Sequence, residues 1–229
     1  MDRILRLTLS CAGILCLGTI LLIAGCGGGG GSTRFRVMNA VPDESSLIVL
    51  LDTTTVSSNL AYGTSTEYQS VSSGSHQVTI EPAGTSTALL QQSISFTSGT
   101  DTTIISSNFS QSVSNLVLAD NNSAPASGDF KIRVVNDSPN LGPADLYIVT
   151  PGTDLNTVSP VVSNLPFGSA AAYQSITAGS YEVALTSVGQ KQKAIDTGSI
   201  SFGAGQVRTL VGLNSQSGGF SYTMLMDVN

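Results

Sequence analysis

The amino-acid sequence predicts an all-β protein that contains two tandem β-sandwiches, each built from antiparallel sheets. Three observations predict this class. Polar and apolar residues alternate with a period of two, turn-forming residues recur about every 8–12 residues, and the second half of the chain repeats the first. After residue 31, no stretch of the sequence combines helix caps, sufficient length and a helical hydrophobic period.

The hydrophobic pattern indicates individual strands. Residues 76–80, 93–96 and 181–185 alternate between polar and apolar side chains, as in a strand with one buried face. Runs of apolar and β-branched residues indicate five buried strands, at Leu47–Leu51, Thr102–Ile105, Leu116–Leu118, Leu146–Val149 and Val207–Leu213. Dipeptides such as Ser73-Gly74 and Ser98-Gly99 separate these segments and predict turns.

The repeat has a period of about 100 residues, which indicates a duplicated domain rather than a solenoid. Residues 35–42 match 132–139 at an offset of 97, and the matching segments keep their order to the end, where residues 93–96 match 199–202 at an offset of 106. A stretch without large apolar residues separates the copies. The predicted boundaries are 33–121 for the first domain, 122–128 for a linker and 129–229 for the second domain.

Residues 1–25 have the order of an export signal. Two arginines give a positive start, an uncharged and mostly apolar stretch follows from residue 7 to residue 23, and small residues precede Cys26. An uncleaved membrane anchor is the alternative interpretation, because the apolar stretch is at the lower length limit for a membrane span.

The segment Leu22–Cys26 resembles a bacterial lipobox, with Ile23 in the place that this motif usually gives to Leu. The resemblance implies cleavage of the signal before Cys26 and attachment of fatty acyl chains such as palmitate to that residue. Residues 26–32 then form a glycine-rich flexible tether, which suits a lipid anchor.

Each repeat contains three motifs in the same order: Arg-Val-x-Asn-x-x-Pro, Ser-Asn-Leu-x-[Tyr/Phe]-Gly and Tyr-x-x-[Val/Ile]-x-x-Gly. Together they resemble a bacterial family of exported domains that is classed only as a domain of unknown function. The resemblance covers residues 35–225, with Val41 as a departure from the Ser or Ala usual before the proline. It implies two tandem immunoglobulin-like antiparallel β-sandwich domains after a cleaved N-terminal lipoprotein signal helix, and no catalytic residues.

Composition excludes several functional classes. Nine basic against fifteen acidic residues, a net charge of −6, argue against a nucleic-acid partner, which requires a clustered basic surface. If the signal is removed and Cys26 is lipidated, no cysteine remains for a disulfide, a thiolate metal site or a nucleophile. We therefore expect no enzymatic activity and no cofactor.

Few side chains are candidates for catalysis. His76 is the only histidine, and its counterpart in the second repeat is Tyr181, so we interpret it as a surface strand residue rather than the base of a Ser-His-Asp triad. The carboxylates that could form a pair for glycoside hydrolysis are Asp43, Glu44, Asp52, Glu67 and Glu81. The second repeat replaces at least four of these five, which argues against such a pair.

Two groups of Asp and Asn residues could supply oxygen ligands for calcium. One is residues 120–122 before the linker, and the other combines Asp137, Asn140 and Asp145. The same residue types also form ordinary turns and linkers, which is the interpretation we favour.

Two residue types recur at equivalent positions of a chain that has few charges. We interpret Arg36 and Arg133 as half-buried arginines that pair with an acid of the same sheet, with a carboxylate or sugar ligand as the alternative. We interpret Tyr68 and Tyr173 as core or corner aromatics whose hydroxyl groups bond to backbone.

A third recurring feature is a glycine in the hairpin that follows each tyrosine. Gly74 and Gly179 each precede an alternating strand, which predicts a positive φ at both residues.

The sequence therefore predicts a non-catalytic, lipid-anchored cell-envelope protein that serves in structural or adhesive display of two β-sandwich modules. The alternative is a binding module for cell-wall or extracellular glycan. The membrane is the expected partner through the lipid on Cys26, with an envelope protein or a glycan as a further partner. In a diderm bacterium we expect the outer membrane, because Gly27 rather than Asp follows Cys26.

Overall fold

The computed structural model describes residues 32–228. The signal segment, Cys26 and the glycine-rich tether lie outside the described residues. Apart from strands, residues 32–228 contain two short 3-10 helices, at Ser110–Ser112 and Leu155–Thr157. Within this range no helix is long and apolar enough to cross a membrane.

The first half of the described chain forms two sheets of four strands. The strands are β1 (Arg34–Ala40), β2 (Ser46–Leu51), β3 (Thr54–Ala61), β4 (Gln69–Ser70), β5 (Gly74–Pro82), β6 (Leu90–Phe96), β7 (Asp101–Ser107) and β8 (Ser114–Asp120). The inner sheet has the order β4-β1-β7-β8, and the outer sheet has the order β3-β2-β5-β6.

The second half forms two sheets of five strands. The strands are β9 (Asp129–Asp137), β10 (Ala144–Val149), β11 (Val162–Leu165), β12 (Ser169–Ala170), β13 (Gln174–Thr177), β14 (Gly179–Ser187), β15 (Lys193–Asp196), β16 (Ile200–Phe202), β17 (Val207–Asn214) and β18 (Phe220–Val228). The inner sheet has the order β12-β9-β17-β18, with β13 also paired to β9. The outer sheet has the order β11-β10-β14-β15, with β16 also paired to β14.

The all-β sandwich class predicted from the sequence is confirmed, but each inner sheet is mixed rather than purely antiparallel as predicted. β1 and β7 are parallel, as are β9 and β17, whereas the other strand pairs are antiparallel. Side chains alternate with a period of two in parallel and in antiparallel sheets. The period therefore does not reveal which strand will be the neighbour, or in which direction the two will pair.

Each half has its own apolar core between its inner and outer sheets. In the first half the core joins Phe35 and Val37 of β1 to Leu47 of β2 and Ile80 of β5. The second core contains Phe130, Ile132, Val134, Leu146, Val183, Leu185 and Leu210, among others. Both cores draw on both sheets of their own half, as a β-sandwich requires.

The two inner sheets also pack against each other. A third apolar cluster joins Met38, Ala40 and Ile105 of the first half to residues of the second half, which are Val135, Val211, Leu213 and Leu225. The molecule is therefore a stack of four sheets. Because β1, β7, β9 and β17 have neighbours on both faces, nearly every residue in them is buried.

The motif asparagines explain part of the sequence repeat. Buried Asn39 donates from its side chain to the carbonyl oxygen of Leu60 at 3.0 Å, and its own carbonyl accepts from the Gly63 N–H at 2.8 Å. Asn136 donates in the same way to the carbonyl of Leu165 at 3.0 Å. The first motif is thus tied to the second by the same hydrogen bond in each half.

The two hairpin glycines differ, which corrects one prediction. Gly74 has φ of +124°, in a region that favours glycine. Gly179 is not among the glycines with positive φ, so the prediction is wrong for that residue. A Cβ on Gly179 would meet its nearest atom, in the Tyr181 ring, at 3.5 Å, which is ordinary contact. Recurrence of a glycine therefore does not establish a shared backbone conformation.

Candidate functional site

The recurring arginines meet at the junction between the two inner sheets. Arg36 of β1 donates from Nε to Thr103 Oγ1 in its own half at 2.8 Å, and from Nη2 to Asp227 Oδ1 at the end of the second half. Both charged side chains are almost fully buried, with exposed fractions of 3% for Arg36 and 0% for Asp227.

The second arginine makes the reciprocal contact. Arg133 of β9 donates from Nε to Thr209 Oγ1 at 3.2 Å and from Nη2 to Asp120 Oδ1 of the first half at 2.5 Å. Its exposed fraction is 4%, and that of the Asp120 side chain is 0%. The sequence interpretation placed the partner acid in the same sheet. That detail is wrong, because each acid belongs to the inner sheet of the opposite half.

The two threonines close the network. Thr103 donates to Asp120 Oδ2 at 2.6 Å, and Thr209 donates to Asp227 Oδ2 at 2.7 Å. Each carboxylate therefore accepts one hydrogen bond from a threonine hydroxyl of its own half and one from a guanidinium group of the other half. We call these six residues the junction clamp: Arg36, Thr103, Asp120, Arg133, Thr209 and Asp227.

The recurring tyrosines cover the clamp. The Arg36 guanidinium lies 4.6 Å from the centre of the Tyr68 ring, and the Arg133 guanidinium lies 4.8 Å from the centre of the Tyr173 ring. The Tyr68 hydroxyl donates to Asp120 at 2.7 Å, and the Tyr173 hydroxyl to Asp227 at 3.4 Å. The prediction that these hydroxyl groups bond to the backbone is therefore wrong, because carboxylates accept their hydrogen bonds.

Burial keeps these two tyrosines neutral. It raises the pKa of Tyr68 above its usual value, and it raises that of Tyr173 to about 12. Both phenols therefore remain hydrogen-bond donors over the physiological range, and their faces are taken by guanidinium groups rather than left open as platforms for a ligand.

A groove of about 370 Å³ opens beside the clamp, between the two halves. One wall is residues 63–68 of the first half, and the other is residues 223–226 of β18. Glu67 is exposed on the first wall, and Met226, at 72% exposure, lies on the second. The groove is therefore lined by hydroxyl groups, one carboxylate and apolar side chains, of which Met226 is the most exposed.

His76 makes contacts that resemble those of a Ser-His-Asp triad. Its Nδ1 lies 2.7 Å from Asp52 Oδ2, and its Nε2 lies 3.0 Å from Ser72 Oγ. However, Nε2 also lies 3.1 Å from the Ser72 carbonyl oxygen, and in the second half the Tyr181 hydroxyl donates to the equivalent carbonyl, that of Thr177, at 3.0 Å. The shared contact indicates a hairpin tie rather than a base poised to deprotonate serine.

The candidate carboxylates are used in local contacts or lie apart. Asp43 accepts from the backbone and side chain of Ser110 at 2.8 and 2.6 Å. Asp52, besides His76, accepts from the Gln77 N–H at 2.9 Å. The hydrogen bond from His76 and that from Gln77 lower the pKa of the Asp52 carboxyl. Glu81 lies on β5, away from the groove that holds Glu67.

Several of the oxygens proposed for calcium are engaged in hydrogen bonds, whereas Asn122 Oδ1 and Asp137 Oδ2 are buried without a hydrogen-bond partner among the described residues. Asp120 belongs to the clamp, and Asn121 Oδ1 accepts from Lys131 Nζ at 3.1 Å. Asp145 accepts from two backbone N–H groups, those of Asn164 and Gly189. Within residues 32–228 no group of three or more His, Cys, Asp or Glu side chains has an arrangement that could hold a metal ion.

The sequence predictions did not identify Asp120 and Asp227 as the partners of the arginines. Asp120 and Asp227 recur at an offset of 107, as Thr103 and Thr209 recur at 106, so the repeat contained the signal. Lipidation of Cys26 is a sequence prediction that lies outside the described residues.

Comparison with known proteins gives one family match. The model of a domain of unknown function, DUF4397, matches residues 33–147. A search of curated proteins found no match.

Solved structures show only weak similarity. A family 26 carbohydrate-binding module from Eubacterium rectale, solved with maltoheptaose, is 10% identical and has a TM-score of 0.29 over 86% of this chain and 98% of that chain. A streptococcal virulence factor described by its alpha-glucan binding is 13% identical, with a TM-score of 0.28 over 83% of this chain and 97% of that chain. Similarity at this level supports no conclusion about the arrangement or the ligand of the present chain.

Proposed function

The chain belongs to the DUF4397 family, and we propose that it is a non-catalytic, lipid-anchored envelope protein that displays two duplicated β-sandwiches as one structural or adhesive unit. The observation that carries this proposal is the junction clamp. Two buried ion pairs and a shared apolar cluster hold the halves together. The halves therefore present one rigid surface and do not behave as two modules joined by a flexible linker.

The duplication is supported by the equivalence of the two halves. In each, the first strand pairs in parallel with the penultimate long strand, and that strand pairs with the last in antiparallel fashion. The clamp residues occupy matching positions in both halves. We infer that an ancestral domain that could pair with a copy of itself was duplicated, because each half supplies both an arginine and an acid to the other.

The anchor is tested by metabolic labelling with an alkyne fatty acid. Wild-type protein should be tagged and should fractionate with the outer membrane of a diderm source. Cys26→Ala should lose the tag, whereas Cys16→Ala, within the cleaved signal, should keep it. Labelling of the Cys26→Ala variant would contradict the lipid anchor. That result would not bear on the junction between the two halves, which rests on separate observations.

Glycan binding is the second candidate, and the groove beside the clamp favours it. Hydroxyl groups and the Glu67 carboxylate can bond to sugar hydroxyls, and the Met226 side chain can pack on an apolar sugar face. Detergent-solubilised full-length protein on a glycan array should bind a defined set of glycans. Glu67→Gln should weaken that binding, and Glu81→Gln, on β5 outside the groove, should not. Absence of any bound glycan, or equal loss in both variants, would exclude this site.

A further inference from the structure

One ionisable group at the junction has no charged partner within residues 32–228. Asp137, at the end of β9, is fully buried. Its Oδ1 accepts a hydrogen bond of 2.5 Å from the Ser107 hydroxyl of the opposite half. Its Oδ2 is a buried oxygen for which the described residues supply no hydrogen-bond partner. A buried carboxylate left in this state is unfavourable, whereas a neutral carboxyl group is much less so.

The environment of Asp137 is otherwise apolar or neutral. The junction cluster, with Met38, Ile105 and Val211, forms the adjoining core between the inner sheets. Tyr62, from the turn after β3, is the ionisable side chain that the described residues place in electrostatic contact with Asp137. Burial, and then the Asp137 charge, raises the pKa of Tyr62, whose hydroxyl donates to the Asn214 carbonyl at 2.6 Å. Thus Tyr62 stays neutral and supplies no compensating charge.

The equivalent site in the other half shows that the fold does not require this group. Asp137 corresponds to Ala40, and Ser107 corresponds to Leu213, by the same strand registers that relate the clamp residues. Ala40 and Leu213 both belong to the apolar junction cluster. One side of the pseudo-symmetric junction is therefore apolar, and the other contains the titratable Asp137 hydrogen-bonded to Ser107.

We propose that Asp137 is a proton-dependent latch: the two halves pack tightly while its carboxyl group is protonated, and their packing loosens when it ionises. In the neutral form, one carboxyl oxygen accepts the hydrogen bond from the Ser107 hydroxyl and the other carries the proton, so no buried charge remains. Ionisation removes that proton and leaves a buried charge that is not paired with a cation among the described residues.

The direction of the pH dependence follows from the raised pKa. Burial raises the pKa of Asp137 to about 7, against about 3.9 for an aspartate exposed to water. The packed junction therefore binds one more proton than the separated one between these two values. Its stability is greatest below about pH 4, falls as the pH rises towards 7, and levels off above that. The equilibrium for opening should shift by up to about tenfold for each pH unit within this window.

The test uses full-length protein between pH 4.5 and 8, with thermal unfolding and amide hydrogen exchange of β7 and β9 as the measurements. In wild-type protein, the melting temperature should fall as the pH increases to 7. The amide hydrogen-exchange rates of these two strands, corrected for the intrinsic pH dependence of exchange, should rise over the same range. Asp137→Asn and Asp137→Ala, the second of which copies Ala40, should flatten both trends. Glu81→Gln removes a carboxylate on β5, in the outer sheet, and should leave the wild-type slopes unchanged.

A measurement on unmodified protein covers the case in which neither variant folds. The carbon-13 chemical shift of the Asp137 carboxyl group should titrate with a midpoint near pH 7. A midpoint below pH 5, or wild-type pH slopes in Asp137→Asn, would overturn the latch.

Discussion

Two arginines on the same strand differ in what their charges contribute, although they stand only two residues apart. Arg36 is buried against Asp227, whereas the Arg34 side chain is 42% exposed and pairs with Asp101 at 2.6 Å. Water already solvates much of the Arg34 charge, so its pair resembles an ordinary surface ion pair. Removal of Arg36 instead leaves a buried carboxylate without its cation.

The prediction at this scale is a large difference between two alanine variants. Arg36→Ala should lower the free energy of unfolding by about 3–5 kcal/mol, and Arg34→Ala by about 1 kcal/mol or less. Chemical denaturation of the full-length protein measures both. A matched double variant, Arg36→Met with Asp227→Leu, should recover much of the loss because no unpaired charge remains. Equal effects at the two arginines would show that burial of Arg36 has no energetic consequence.

The edge strands of the inner sheets are protected by the opposite half. β8 and β18 are each hydrogen-bonded to one neighbouring strand. Arg133 donates to the Ala119 carbonyl of β8 at 3.2 Å, and Arg36 donates to the Met226 carbonyl of β18 at 3.2 Å. Edge strands with free backbone groups can pair with other chains and promote aggregation. Because the clamp arginines occupy backbone carbonyls of β8 and β18, they also block part of each edge.

The hairpins that lead into β5 and β14 provide a matched test of backbone strain. Gly74→Ala should lower the free energy of unfolding by about 1–3 kcal/mol, because φ of +124° is unfavourable for a residue with a Cβ atom. Gly179→Ala should have little effect, because its backbone is not in that region and the added atom has room. Differential scanning calorimetry of both variants measures the contrast, and an equal loss in the two would contradict it.

Each half of the molecule has an internal core, yet the junction buries apolar surface that neither half can cover alone. The core around Phe130, Leu146 and Leu210 lies within the second half. The face that bears Val211 and Leu225 is covered by the first half. A separated half would expose that face and would leave Arg133 without Asp120.

The prediction for the whole molecule concerns residues 129–229 expressed alone. This half should fold cooperatively, with a β-type circular dichroism spectrum, because its sandwich core is complete. Its melting temperature should lie below that of the full-length protein, and it should self-associate through the uncovered inner sheet. An unfolded product would mean that the junction is required for folding, and a melting temperature equal to that of the full chain would mean that the junction contributes nothing.

The contacts of the recurring arginines and tyrosines could be predicted from the sequence only in part. Arg36, Arg133, Tyr68 and Tyr173 were identified by recurrence alone, because repeated polar residues in a chain with few charges indicate a repeated structural need. Their partners were assigned incorrectly. Asp120 and Asp227 are equivalent in the repeat, so the sequence offers each arginine two equally suitable acids.

The features that depend on neighbouring residues could be predicted from the sequence: the β class, the positions of some of the strands and turns, and the repeat. These follow from side-chain alternation and turn chemistry within a few residues of each position. Three features follow only from the tertiary structure: the inner sheets face each other, each acid pairs with the arginine of the opposite half, and Asp137 is enclosed with no cation beside it in the described part of the chain. Those outcomes depend on contact between surfaces about a hundred residues apart in the chain, where local periodicity carries no information.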